Sequence, residues 1–183
     1  MGTQVVVLNG GSSSGKSSMA RDLVRLLPGT WLRLGVDTLI DALAPSPQEE
    51  ADVGLVIGAD GEVVVGPAFT RVERAWMRGV AAIAADVPVV VEDNFLSGPA
   101  AQQRWREALA GLDVLWVGVR CEAAVAEARE RARGDRAVGM ARAQADVVHE
   151  GIGYDLEVDA GVLSPADAAA VVAASVVAAA VGE

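Results

Sequence analysis

The chain predicts an α/β fold of three layers, with helices on both faces of a mostly parallel five-stranded sheet, formed as one domain over residues 1–183. Three observations carry that expectation. Apolar, β-branched runs recur along the chain. Helical patterns separate them, the alternation that joins parallel strands by crossover helices. The first strand-like run ends in a glycine-rich turn that opens a helix.

Taken in order, strand-like runs fall at 4–9, 30–36, 87–92, 113–120 and 154–158. Helical patterns fall at 16–27, 67–86, 98–110, 121–133, 138–149 and 165–181. Val87-Pro88-Val89-Val90-Val91 is continuously apolar, as a strand covered on both faces should be. Asp60-Gly61, between Val56–Ala59 and Glu62–Val65, has the composition of a hairpin turn. It lies in an insertion, about 41–66, with Pro45 and Pro47. An insertion placed there could cover a substrate site.

The chain's single lysine, Lys16, stands in Gly10-Gly11-Ser12-Ser13-Ser14-Gly15-Lys16-Ser17. This fits the phosphate-loop pattern G-x-x-x-x-G-K-[ST], between the strand and the helix that it requires. Glycine at 10, 11 and 15 permits positive φ and leaves no Cβ toward a ligand. Backbone amides from Ser12 to Ser18 and the helix N-terminus can then face phosphate oxygens. Lys16 is expected at the β/γ-phosphates of ATP, and the Ser17 hydroxyl at Mg²⁺. The structural alternative is a Gly/Ser turn with no ligand.

Composition narrows the class. Hydrophobic residues make up 52% and the formal net charge is −10, which argues against a nucleic-acid footprint. One cysteine, Cys121, excludes an internal disulfide and reads as a buried thiol. The apolar run Val171–Val181 is too short for a membrane span. A cytoplasmic protein is expected. With no second lysine, the guanine-reading N-K-x-D motif cannot occur, so a GTPase is excluded. A small-molecule kinase fits the size.

Such an enzyme needs a base, a metal-side carboxylate and arginines over the transferring phosphoryl group. Asp37 ends the second strand at the carboxyl edge, where ligands bind in open α/β sheets. It could deprotonate an acceptor hydroxyl or cap the helix Thr38–Leu43. Asp41, one turn on, is the weaker base candidate. Glu92-Asp93 follow an apolar strand in the manner of a Walker B element. Asp93 is the metal-side candidate, with Ser17, and Glu92 its alternative. Arg133 and Arg136 flank the helix-breaking Gly134 and could close as a lid, about 129–140. Arg129 and Glu130 could equally form solvated ion pairs. His149 could cap a helix end as a cation. Trp31, Trp76, Trp105 and Trp116 are core candidates by pattern, and Trp31 and Trp76 lie nearest the presumed acceptor site.

Leu8–Ser17, Gly35-Val36-Asp37, Asp113–Cys121, Ala132–Arg136 and Val148–Gly151 together resemble the chloramphenicol phosphotransferase family, from residue 4 to about 159. The resemblance implies a P-loop kinase fold related to shikimate and adenylate kinases. It implies transfer of the γ-phosphate of ATP to a hydroxyl of chloramphenicol, with Asp37 as the base. The partner expected is therefore a small hydroxylated antibiotic, with no nucleic acid and no membrane. A capuramycin-type nucleoside is an alternative acceptor. A shikimate- or gluconate-type metabolic kinase would need basic residues for its anionic acceptor. Region 41–66 has none and carries Glu49, Glu50, Asp52 and Asp60. A non-catalytic nucleotide sensor would need no base. The Ala/Val-rich last helix could pack on its own core or on a second subunit, so a homo-oligomer stays open.

Overall fold

A computed structural model describes residues 2–43, 55–57, 63–133 and 139–181. Five strands form the main sheet: β1 (Val5–Asn9), β2 (Leu32–Gly35), β5 (Val89–Asp93), β6 (Val114–Arg120) and β7 (Leu156–Asp159). Their order is β2-β5-β1-β6-β7, and every neighbouring pair is parallel. The chain leaves β1 toward β2 and β5, then crosses to β6 and β7. The loop after β1 therefore sits where strand order reverses, the place such sheets offer to a ligand.

Alternation along β1 builds two cores. Val6 and Leu8 pack with Met19 and Leu23 of α1 (Lys16–Leu26), and with Ala168, Ala169, Val172 and Val176 of α7 (Pro165–Val181). Val5 and Val7 pack on the other face with Met77 and Val80 of α3 (Pro67–Ala84), and with Ala101 and Trp105 of α4 (Pro99–Ala108). Period-2 side-chain direction thus makes one strand the middle of three layers. The final helix buries its alanine and valine face in its own core. No helix among the described residues is long and apolar enough to cross a membrane.

A seven-residue helix, α2 (Val36–Ala42), starts directly after β2. Short β3 (Leu55–Ile57) and β4 (Val63–Val65) pair antiparallel, Val56 opposite Val64. The Asp60-Gly61 turn proposed between them lies outside the described residues. α5 (Ala123–Arg133) leads to α6 (Met140–Gln144). The single helix expected over 138–149 is instead α6 followed by a separate 3-10 turn, Val147–His149. Within the expected span, 138 lies outside the described residues.

Trp105 and Trp116 are core residues, 1% and 6% exposed. Trp31 and Trp76 pack at the edges of the two opposite cores, as core candidates should, and border neither cavity at the site. A tryptophan's bulk in a sequence does not report which layer it fills.

Candidate active site

The phosphate loop joins β1 to α1. Gly15 stands at the start of α1 with φ 97°, a left-handed conformation that glycine adopts without strain. Ser13 also has positive φ, 57°. Gly10 and Gly11 do not. Their lack of a side chain serves close approach. A Cβ on Gly10 would meet the Val119 carbonyl at 2.7 Å, and one on Gly11 would meet Gln144 at 3.3 Å. Lys16 Nζ donates to the carbonyls of Gly10 (2.7 Å) and Gly11 (3.4 Å), folded back onto its own loop.

A cavity of about 150 Å³ lies over this loop, lined by Gly11 to Ser18 together with Arg33, Asp37, Glu92, Asn94 and Arg133. Loop amides, a helix N-terminus, a lysine and two arginines bordering one cavity are a donor set that fits a nucleotide triphosphate. Ser17 and Glu92 border it too, a hydroxyl and a carboxylate of the hard-oxygen kind that Mg²⁺ takes alongside phosphate. The described residues contain no cluster of three or more acidic, His or Cys groups suited to hold a metal alone.

A second chamber, about 310 Å³, adjoins the first. Apolar Val36, Ile40, Val63, Val65, Phe69, Leu96 and Met140 line it, with Asp37, Asp41, Glu73, Asp93 and Gln144. Among the described residues, no lysine, arginine or histidine lines it. Asp37, in the first turn of α2, borders both cavities.

The two consecutive acids of β5 part company. Glu92 borders the phosphate cavity and pairs with Arg33 of β2 at 3.3 Å. Asp93, the metal-side candidate, borders the second chamber instead. Successive strand residues point to opposite faces, which sends these two side chains to different cavities. Asp93 Oδ1 accepts from the Asn94 amide (2.7 Å), and Oδ2 from Trp105 Nε1 (2.5 Å). Burial pushes its carboxyl up from the usual range, and the Trp105 hydrogen bond opposes that. Glu73 of α3 is also raised by burial, with Arg104 of α4 pulling it down from 2.8 Å.

Behind the loop, three side chains from distant parts of the chain meet. Asn9, at the end of β1, donates from Nδ2 to the Val148 carbonyl (2.7 Å) and to the Tyr154 hydroxyl (2.5 Å). That hydroxyl lies 2.7 Å from His149 Nδ1. The Tyr154 ring rests on β6 where a Cβ at Gly118 would come within 2.8 Å of it. Burial, then the Arg120 charge, lowers the His149 pKa to about 4. His149 is therefore a neutral buried imidazole and does not cap a helix as a cation.

Within the arginine segment Arg131 does form an exposed pair, with Glu127 at 3.6 Å, whereas Arg129 and Glu130 turn inward. Arg129 reaches inward, donating from Nη1 to the Ser14 carbonyl (2.9 Å) and from Nη2 to the Ala160 carbonyl (2.7 Å). Glu130 is buried and accepts the amides of Gly139 (2.9 Å) and Ala141 (2.8 Å), capping α6 across the intervening residues. Arg133 is exposed and borders the phosphate cavity. Arg136 lies outside the described residues.

An all-parallel sheet carrying a phosphate loop, with a carboxylate-bearing chamber beside it, defines a P-loop kinase-type phosphotransferase. The chain belongs to the family of chloramphenicol phosphotransferase-like proteins, which it matches over residues 3–177. It is 29% identical over 167 residues to a Mycobacterium tuberculosis (strain H37Rv) protein named "Putative O-phosphotransferase", covering 85% of this chain and 74% of the relative. Its fold is shared with a shikimate kinase from Acinetobacter baumannii at TM-score 0.65 and 16% identity, over 96% of this chain and 94% of that one. It is shared also with a Deinococcus radiodurans tunicamycin resistance protein at TM-score 0.63 and 19% identity, over 95% of each. The protein is thus an enzyme of the small-molecule O-phosphotransferase kind, using a nucleotide.

Proposed function

We propose that the protein transfers the γ-phosphoryl group of ATP to a hydroxyl of a small antibiotic, chloramphenicol first among them, and so inactivates it. One observation carries the reading. Among the described residues, Asp37 is the one carboxylate that borders both the phosphate cavity and the chamber beside it. A carboxylate there can take the acceptor's proton while aligning its oxygen with the phosphoryl group. ATP supplies the phosphoryl group and Mg²⁺ its charge neutralisation. Lys16 and the amides of Gly10 to Ser18 would hold the triphosphate. Ser17 would hold the metal, and Glu92 is better placed than Asp93 to assist it. Arg133, with Arg136, would close over the phosphoryl group as part of a lid at about 129–140. The insertion at about 41–66 would wall the acceptor side.

The chamber's chemistry supports a neutral acceptor. Four carboxylates and no basic group line it among the described residues. A hydroxy acid of the shikimate or gluconate kind would meet like charge there, at a cost of several kcal/mol. A capuramycin-type nucleoside remains the second acceptor to test.

The test is incubation with ATP, Mg²⁺ and a panel of chloramphenicol, a capuramycin-type nucleoside, shikimate and gluconate. A one-phosphate mass gain on chloramphenicol is expected, and gain on shikimate or gluconate alone refutes the reading. Asp37→Ala is expected to bind ATP normally and to lower kcat by about 10²–10⁴, the range of a general base. Near-native turnover in that variant removes Asp37 as the base.

A further inference from the structure

Arg33 belongs to the edge strand β2 and pairs in register with Val90 of β5. Val90 packs on the face of the sheet that α1 covers. Glu92, two residues on, shares that face. Alternation therefore sends Arg33 to the side of the phosphate-loop helix, and its contacts agree. Nη1 donates to the Ser17 carbonyl at 3.3 Å, and Nε stands 3.3 Å from Glu92 Oε1. Gly35, opposite Glu92, lets β2 lie this close, since a Cβ there would come 3.2 Å from the Glu92 Cβ.

The guanidinium is thus held between Ser17 and Glu92, and all three residues border the phosphate cavity. Its bond to Ser17 takes only one of its N–H donors, and the side chain is 41% exposed, so the fork is open to a ligand. Strand β2 runs directly into α2, which carries Asp37 to the same cavity and to the acceptor chamber beside it. One short stretch of chain therefore brings a fixed cation and the candidate base to the place where a phosphoryl group would change hands.

We propose that Arg33 is a further catalytic residue, a strand-borne cation that binds the γ-phosphoryl oxygens of the nucleotide. The inference rests on the phosphotransfer reading above. In that transfer the acceptor oxygen bonds to the γ-phosphorus while the bond to the bridging oxygen breaks. The hydroxyl proton passes to Asp37, and ADP leaves with the electron pair. Negative charge spreads over the γ oxygens and grows on the bridging one. A guanidinium fork matches such oxygens with parallel N–H bonds. Held in advance by Glu92 and the Ser17 carbonyl, it needs little reorganisation as that charge develops. Glu92 meets Arg33 through Oε1, which leaves Oε2 for the metal-side role proposed above.

The experiment compares the native enzyme with Arg33→Met, which keeps an unbranched stem and removes the charge. Affinities for ADP and for a non-hydrolysable ATP analogue are measured without acceptor, in Mg²⁺ and again in EDTA. Affinity for the analogue is expected to fall about tenfold in both conditions, the scale of one lost charge-assisted hydrogen bond. Affinity for ADP, which lacks the γ-phosphate, is expected to move less than about threefold. With chloramphenicol, kcat is expected to fall about 10²–10³, as when one preplaced donor is removed. Equal losses for the two nucleotides are what a mere tie between β2 and β5 gives, and they overturn the proposal. Unchanged affinity for the analogue overturns it too, as does a loss confined to Mg²⁺, which would act through Glu92 and the metal. A native enzyme that leaves chloramphenicol unmodified refutes that acceptor, and the nucleotide comparison then decides Arg33 alone. Should Arg33→Met fail to fold, Arg33→Gln carries the same comparison with the same expected split.

Discussion

Acidifying the solution to pH 5 should destabilise this protein through one imidazole. His149 is 6% exposed and its Nδ1 lies 2.7 Å from the Tyr154 hydroxyl. Asn9 Nδ2 donates to the same hydroxyl oxygen, which leaves the Tyr154 hydrogen for Nδ1. A proton arriving on Nδ1 would turn that acceptor into a donor. Nε2 offers no relief, being buried without a partner among the described residues. Burial, then the Arg120 charge, lowers the folded-state pKa to about 4, against 6.5 for a free imidazole. A base with a depressed pKa takes its proton first in the unfolded chain. Its stability contribution is therefore full above about pH 6.5 and is lost as pH falls toward 4. Between pH 7 and pH 5 the two values imply a loss of about 2 kcal/mol. Glu73 and Asp93 are raised acids and work in the opposite sense, gaining stability as pH falls. Urea unfolding of the native protein and of His149→Leu at pH 7, 6 and 5 separates these contributions. The native protein should lose about 2 kcal/mol more than the variant over that interval. Equal losses would refute the depressed imidazole.

Two further outcomes follow from contacts around the same site. Gly118→Ala puts a methyl group 2.8 Å from the Tyr154 ring; overpacking of this kind should cost about 1–3 kcal/mol, read as a lower Tm, and an unchanged Tm would show that the ring yields freely. Glu130→Ala removes the acceptor of two amides at the start of α6. It should cost about 2 kcal/mol and speed hydrogen exchange at Gly139 and Ala141, whereas native exchange rates there would show that α6 is capped by other means.

Local signals in the sequence located much of the fold. Val5–Leu8, the loop and α1 were legible because an apolar, β-branched run, three glycines and a helical pattern follow one another along the chain. Asp37 was picked out as a strand end at the carboxyl edge; it stands two residues beyond β2, in the first turn of α2, and still borders both cavities. The parting of Glu92 and Asp93 to different cavities was open to similar reasoning, since strand alternation alone sends them apart. Other residues carried no local signal. Asn9 meets Tyr154 across 145 positions and Gln144 meets Ser12 across 132. Arg129 and Glu130 looked like an ordinary charged helix face, and only the fold shows that both turn inward. Such polar contacts depend on which strand ends become neighbours, and composition does not encode that at either partner alone.

Arg129 has a consequence for how strongly a ligand can be held. Its guanidinium ties the Ser14 carbonyl to the Ala160 carbonyl just beyond β7. The entropy of shaping the phosphate loop is thereby spent during folding, before any nucleotide arrives. Binding then loses little conformational freedom at the loop itself, and more of the contact energy survives as affinity. Rigidity contributed by a residue more than a hundred positions away thus becomes a thermodynamic property of the nucleotide site.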